Sequence, residues 1–129
     1  MKTVYRIELP DGTGMYRCAN NSTVSALDIM GYDDMQHPMP DDDSLLAKRR
    51  VIEGVSDIQL RLYRFGFDSV RQVRNWVYKD AWLIALHDSG FVISEYLCND
   101  YDVIVGHTQA IFKNEIEKES FSILEYFKV

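Results

Sequence analysis

Apolar and polar residues alternate from Thr3 to Leu9, where Val4, Tyr5 and Ile7 supply β-branched and aromatic bulk, and the pattern predicts a strand. Pro10-Asp11-Gly12-Thr13-Gly14 is a turn signal, and Met15 to Cys18 can return as a second strand, so the chain opens on an expected hairpin. Ser22 or Thr23 can cap a short helix carrying Val24, Leu27 and Ile29 or Met30, with Gly31 ending it. From Tyr32 to Asp43 the periodicity is lost. Pro38 and Pro40 rule out helix and central strand there, and five aspartates with His37 make a charged loop.

Beyond that loop, Leu45, Leu46, Val51 and Ile52 have helical spacing over residues 44–54. Ile58, Leu60 and Leu62 alternate with Gln59, Arg61 and Tyr63, which predicts a strand from Ile58 to Phe67. Ser69-Val70-Arg71-Gln72 is a capping-box pattern. Val70, Val73, Trp76 or Val77, Leu83 or Ile84 and His87 then repeat near every 3.6 residues, and Gly90 supplies a stop. One long amphipathic helix, Val70 to His87, is expected to carry the core, with Trp76 and Leu83 buried. Phe91 to Leu97 reads as a strand, and Asp102 to Phe112 as its antiparallel partner, broken by Gly106. From Glu115 to Phe127, Ile116, Ile123 and Phe127 fall on one face, which predicts a final helix. The order predicts an α+β fold: a small antiparallel sheet packed on one long helix, plus a C-terminal helix.

A chain of 129 residues fits a single domain over 1–129, and 47% hydrophobic residues suffice for one core without staples. The first residues carry charge and no apolar run, so neither a signal peptide nor a membrane span is expected, and the expected location is the cytoplasm. Cys18 and Cys98 have no partner spacing and read as buried thiols.

The net charge of −6 is unevenly spread. Residues 1–43 hold three basic and eight acidic groups, residues 44–79 eight and three, and residues 80–129 three and nine. Such segregation can steer a charged partner or be neutralised within the fold.

No GxGxxG, GxxxxGK[ST], HExxH, GxSxG or CxxC pattern occurs, so no catalytic set and no cofactor are assigned. His87 falls at a helix end, where a cation suits the dipole, and His107 falls on a strand. His37 lies among carboxylates, but EF-hand spacing is missing and no metal is expected. Asp33, Asp34, Asp41, Asp42 and Asp43 are instead expected to meet a basic partner, since closely spaced carboxylates can compete for a nucleic-acid groove. Arg61, Arg64, Arg71 and Arg74 lie near Tyr63, Phe65 and Phe67, a mixture that can bind single strands. Those aromatics lead straight into the capping box and are assigned to the core, so direct nucleic-acid binding is not expected.

Val4-Tyr5-Arg6-Ile7-Glu8, Gly14-Met15-Tyr16, His37-Pro38-Met39-Pro40, Phe65-Gly66-Phe67-Asp68-Ser69 with Gln72 and Trp76, Gly90-Phe91-Val92 and Gly106-His107-Thr108-Gln109 together resemble small accessory proteins of bacteriophages and prophages. That resemblance implies a non-enzymatic inhibitor of a host defence protein or ribonucleoprotein, such as an anti-CRISPR, with a homodimer as a further option. A second resemblance, to ADP-ribosyltransferases, rests on the chain order of Arg6, Tyr63 and Gln109. Gln109 departs from that family's glutamate, and its His-Gly and Ser-Thr-Ser motifs are missing. It implies a cleft of Arg6, His37, Tyr63 and Gln109 that binds a nucleotide without turning it over.

Overall fold

In the computed structural model, which describes residues 1–15, 26, 30 and 42–129, the opening alternation becomes β1, Lys2–Glu8. Its antiparallel neighbour is β3, Val92–Cys98, in the register Lys2↔Cys98 to Glu8↔Val92. β6, Glu117–Ser122, pairs with the other edge of β3. A second sheet has the order β2 (Arg64–Gly66), β5 (Ala110–Phe112), β4 (Val103–Val105). The sheets are stitched at one bridge, where Tyr5 N–H donates to the Phe67 carbonyl at 2.8 Å and Phe67 N–H donates back at 2.7 Å.

Alternation along β1 and β3 gives the first sheet two unlike faces. Ile7 and Ile93 point to the main core, where they meet Phe67, Val73, Trp76, Val77, Leu83, Leu86 and Ile123. Val4, Tyr96 and Cys98 point the other way and meet Phe112 of the second sheet. Leu46, Ile104 and Ile111 form a third cluster beneath α1, Ser44–Ile52. The α+β class holds.

The expected long helix is two helices, α3 (Val70–Trp76) and α4 (Asp80–Asp88). Val77 leaves helical geometry at φ −109°, ψ 74°, and Lys79 is extended. An unbroken helix would place Asp80 on the same stripe as Val73, Trp76 and Val77. The break turns it outward, into the first turn of α4, where it pairs with Arg74 at 2.8 Å. The core assignment survives: Trp76 and Leu83 are buried, and Leu83→Ala should cost about 2–5 kcal/mol in a denaturant melt.

Three other expectations change. Residues 58–67 do not form one strand, because Ser56 and Gln59 close a capping box around α2, Asp57–Leu60, and only Arg64–Gly66 is extended. Asp102 to Phe112 folds on itself as the β4–β5 hairpin, breaking near Gly106 as expected but pairing within the second sheet rather than with β3. The final helix is confined to α5, Ile123–Phe127, because Glu117–Ser122 extends along β3. The opening turn forms, with Gly14 bridged to Glu8, while the return strand beyond Met15 and the helix expected near Val24 lie largely outside the described residues.

Candidate functional site

The aspartate run was expected to face a partner, yet Asp43 faces inward. Its carboxylate caps α1 by accepting from Leu46 N–H at 3.0 Å. It also accepts from the backbone N–H groups of His107 (3.0 Å), Thr108 (2.8 Å) and Gln109 (3.3 Å), and from the Thr108 hydroxyl (3.0 Å). Gly106 lies so close that a Cβ there would collide with the carboxylate. Burial pushes the Asp43 pKa up, but bonds from Thr108, Leu46 and His107 outweigh it and hold the group below its ordinary value. Asp43 is thus an internal clamp between α1 and the β4–β5 turn. Asp42 is exposed, and Asp33, Asp34, His37 and Asp41 lie outside the described residues.

Arg6, Tyr63 and Gln109 do not share one cleft. The Arg6 guanidinium donates to Glu8 at 2.9 Å, to the Phe65 carbonyl at 2.5 Å and to the Gly12 carbonyl at 3.1 Å. Arg6 and Gln109 border a common space of about 10 Å³, room for one water and far too small for a nucleotide. Tyr63 packs elsewhere, beside Leu46, Ile104 and Ile111, with the Lys113 ammonium 5.0 Å from its ring centre.

A polar cluster that the sequence reading did not single out lies between the two sheets. Glu8 is fully buried and accepts from Tyr96 Oη (2.7 Å), Ser94 Oγ (2.8 Å), Arg6 Nε (2.9 Å) and Lys118 Nζ (2.7 Å). Register explains the convergence, since Arg6 opposes Ser94, and Ser94 and Tyr96 oppose Ser120 and Lys118. Arg64 closes the side nearest the second sheet, 4.7 Å from the Tyr96 ring centre and paired with Glu115 at 2.5 Å. Burial raises the Glu8 pKa, but the Lys118, Tyr96 and Ser94 bonds outweigh it and set it below the ordinary value. Burial lowers the Lys118 pKa, and its bond to Glu8 more than reverses that; burial and Glu8 both raise Tyr96. All three shifts move away from neutrality, so the cluster holds fixed charge and is not poised to exchange protons near pH 7. Among the described residues, no group of three or more His, Cys, Asp or Glu side chains is placed to hold a metal ion.

Much of the exposed apolar surface lies on α1, α2 and the turn that follows α2. Val51, Ile52, Ile58 and Leu62 are 80%, 71%, 78% and 67% exposed. Lys48, Arg49, Arg50 and Arg61 stand among them against only Glu53 and Asp57, leaving the 44–62 segment at +2 in a chain of −6. Beside Ile52 runs an open groove of about 620 Å³ along β4, lined also by Lys2, Arg49, Glu53 and Asp100.

The family model described as bacteriophage T4 Y00F protein matches residues 1–124. The chain belongs to that family. The Y00F match spans both sheets, the Asp43 clamp and the α1–α2 face, and it supports the phage resemblance at the level of a small phage-encoded protein. No curated protein and no solved structure matches this Y00F chain. Among its described residues, no helix is long and apolar enough to cross a membrane.

Proposed function

We propose that this phage protein is a non-enzymatic binding protein that docks on a host macromolecule, a defence protein or ribonucleoprotein, through its α1–α2 face and thereby inhibits it. The observation that carries the reading is the outward display of Val51, Ile52, Ile58 and Leu62 beside four basic residues. Scattered surface leucines and isoleucines are ordinary, but four strongly exposed apolar side chains within residues 51–62 are a concentration of the kind found at interaction sites. Arginine at the rim of an apolar patch suits a protein interface, where Arg is enriched.

This reading moves the expected contact from the aspartate run to the basic segment, because Asp43 is committed within the fold. A partner meeting a +2 apolar face is itself apolar with acidic flanks. The test is capture of host partners by tagged protein, comparing wild type with Ile58→Ser/Leu62→Ser. The variant should retain its stability to within about 0.5 kcal/mol, as exposed positions do. It should lose at least about tenfold in captured partner, the effect of removing an interface anchor worth ~1.4 kcal/mol. Equal capture by both proteins would refute the α1–α2 face as the docking surface.

A further inference from the structure

The backbone of β4 carries an unusual pattern of satisfied and unsatisfied groups. Gly106 N–H donates to the Gln109 carbonyl at 2.8 Å and Lys113 N–H to the Asp102 carbonyl at 3.1 Å. With Ile104 opposite Ile111, these fix the alternation of the ladder. Ile104 turns its N–H and C=O toward β5, while Val103 and Val105 turn theirs toward the open edge.

Two of those four outward groups are already used. Val103 N–H donates to the Asp100 carbonyl, and the Val105 carbonyl accepts from Arg49 Nη1 at 2.8 Å. Val103 C=O and Val105 N–H remain, and among the described residues neither has a hydrogen-bond partner. They flank Ile104. A residue of an added strand lying beside Ile104 can donate its N–H to the Val103 carbonyl and accept from Val105 N–H, which is the parallel ladder. An antiparallel strand needs both groups of one residue, and at Val103 and Val105 alike one is occupied. The edge is therefore specific for direction.

We infer that the groove along β4 takes an extended, acidic and β-branched segment of the host partner as an added parallel strand. This rests on the docking reading of the α1–α2 face and names the part of the partner that meets it. The groove of about 620 Å³ holds the open edge, and Ile52, exposed at 71%, continues its lining onto the apolar face. Within the lining Lys2 and Arg49 balance Glu53 and Asp100, so the charge of the partner follows from the adjoining 44–62 segment, where Lys48, Arg49, Arg50 and Arg61 outnumber Glu53 and Asp57. An incoming strand would present alternate side chains to this wall, so acidic residues alternating with valine match both the charge and the pleat. The open Val103 carbonyl and Val105 N–H match the spacing of a peptide backbone, and Ile52 offers apolar contact that phosphates would not use, which favours a protein segment over a nucleic acid.

The experiment uses the intact chain and three probes: a synthetic hexapeptide alternating glutamate with valine, its lysine–valine counterpart, and a single-stranded oligonucleotide. Hydrogen exchange of each backbone amide is followed with and without probe. The glutamate peptide should slow exchange at Val105 several-fold and bind at least about tenfold more tightly than the lysine peptide. N-methylation of alternate peptide residues should abolish the protection in one phase of methylation and leave it in the other, because a single N–H meets the Val103 carbonyl. Val105→Pro removes the outward donor and no bond to β5, and edge strands tolerate proline. It should melt as wild type does and lose peptide binding and host capture tenfold or more; should it fail to fold, the N-methyl series on the unaltered protein decides the matter.

Equal protection by both peptides, protection that spares Val105, tighter binding of the oligonucleotide, or Val105 protection that rises with protein concentration alone would each overturn strand addition. Host capture lost in Ile58→Ser/Leu62→Ser but kept in Val105→Pro would do so too, while leaving the α1–α2 docking reading standing. Capture unaffected by both variants would remove that reading as well.

Discussion

Glu8→Gln should destabilise the protein by about 3–5 kcal/mol, the cost of removing one member of a buried charge network. The carboxylate is fully buried, and its loss leaves the Arg6 guanidinium, itself only 11% exposed, without a counter-charge among the described residues. Lys118 is 33% exposed and can turn to water, which sets a limit on the damage. The Gln amide can accept on one oxygen only, so among the Tyr96, Ser94, Arg6 and Lys118 donors some lose their acceptor. Urea melts of the two proteins measure the difference. A loss below about 1 kcal/mol would show that the cluster is held up by its surroundings rather than by Glu8.

Asp43→Ala should cost about 2–4 kcal/mol and act locally before it acts globally. A helix cap contributes about 0.5–2 kcal/mol, and stranding further buried donors adds about 1–3. The amides of Leu46, His107, Thr108 and Gln109 should exchange markedly faster in the variant, while those of β1 and β3 keep their protection. Uniform acceleration would mean that the clamp is simply part of the global fold. Acid should reproduce part of the effect. The folded pKa values of Asp43 and Glu8 both lie below their ordinary values of 3.8 and 4.5. Their contribution is complete above those ordinary values and is lost as pH falls through the depressed folded values. The acid limb of stability against pH should therefore be shallower in Asp43→Ala than in wild type.

The elements legible from the sequence were those with a rhythm and a punctuation mark. β1, the turn after Leu9, the cap at Ser69 and the burial of Trp76 and Leu83 all follow from apolar spacing closed by Pro, Gly or Ser. The Glu8 cluster was hidden for a physical reason. Arg6, Glu8 and Ser94 share their strand phase with the apolar Val4, Tyr96 and Cys98, and polar side chains in a strand ordinarily mark the phase that meets solvent. A second sheet covers that phase, and nothing within β1 announces it. Asp43 was misjudged by its neighbours: a run of aspartates reads as one acidic surface, although Asp43 is followed three residues later by the buried Leu46, as an N-cap should be. β6 was mistaken for helix because Glu117, Lys118 and Glu119 give an edge strand no apolar beat to read.

The register of β1 has a consequence for the order of events during synthesis. Glu8 and the Tyr96 hydroxyl that caps it are 88 positions apart, and Lys118 comes later still. A growing chain therefore carries β1 with neither edge fully matched until β3 has emerged, and the first sheet gains its last strand only once residues 117–122 have followed. Closing so long a loop adds little to the entropic cost in equilibrium but slows folding, because distant pairing must precede its reward. Meanwhile the β2–β5–β4 sheet, whose strands span only residues 64 to 112, can assemble ahead of β6 and offer Phe67 as the first docking point for the waiting strand. β1 is thus made long before it is secured, and ribosome-bound chains from which β3 has not yet emerged should leave it open to protease.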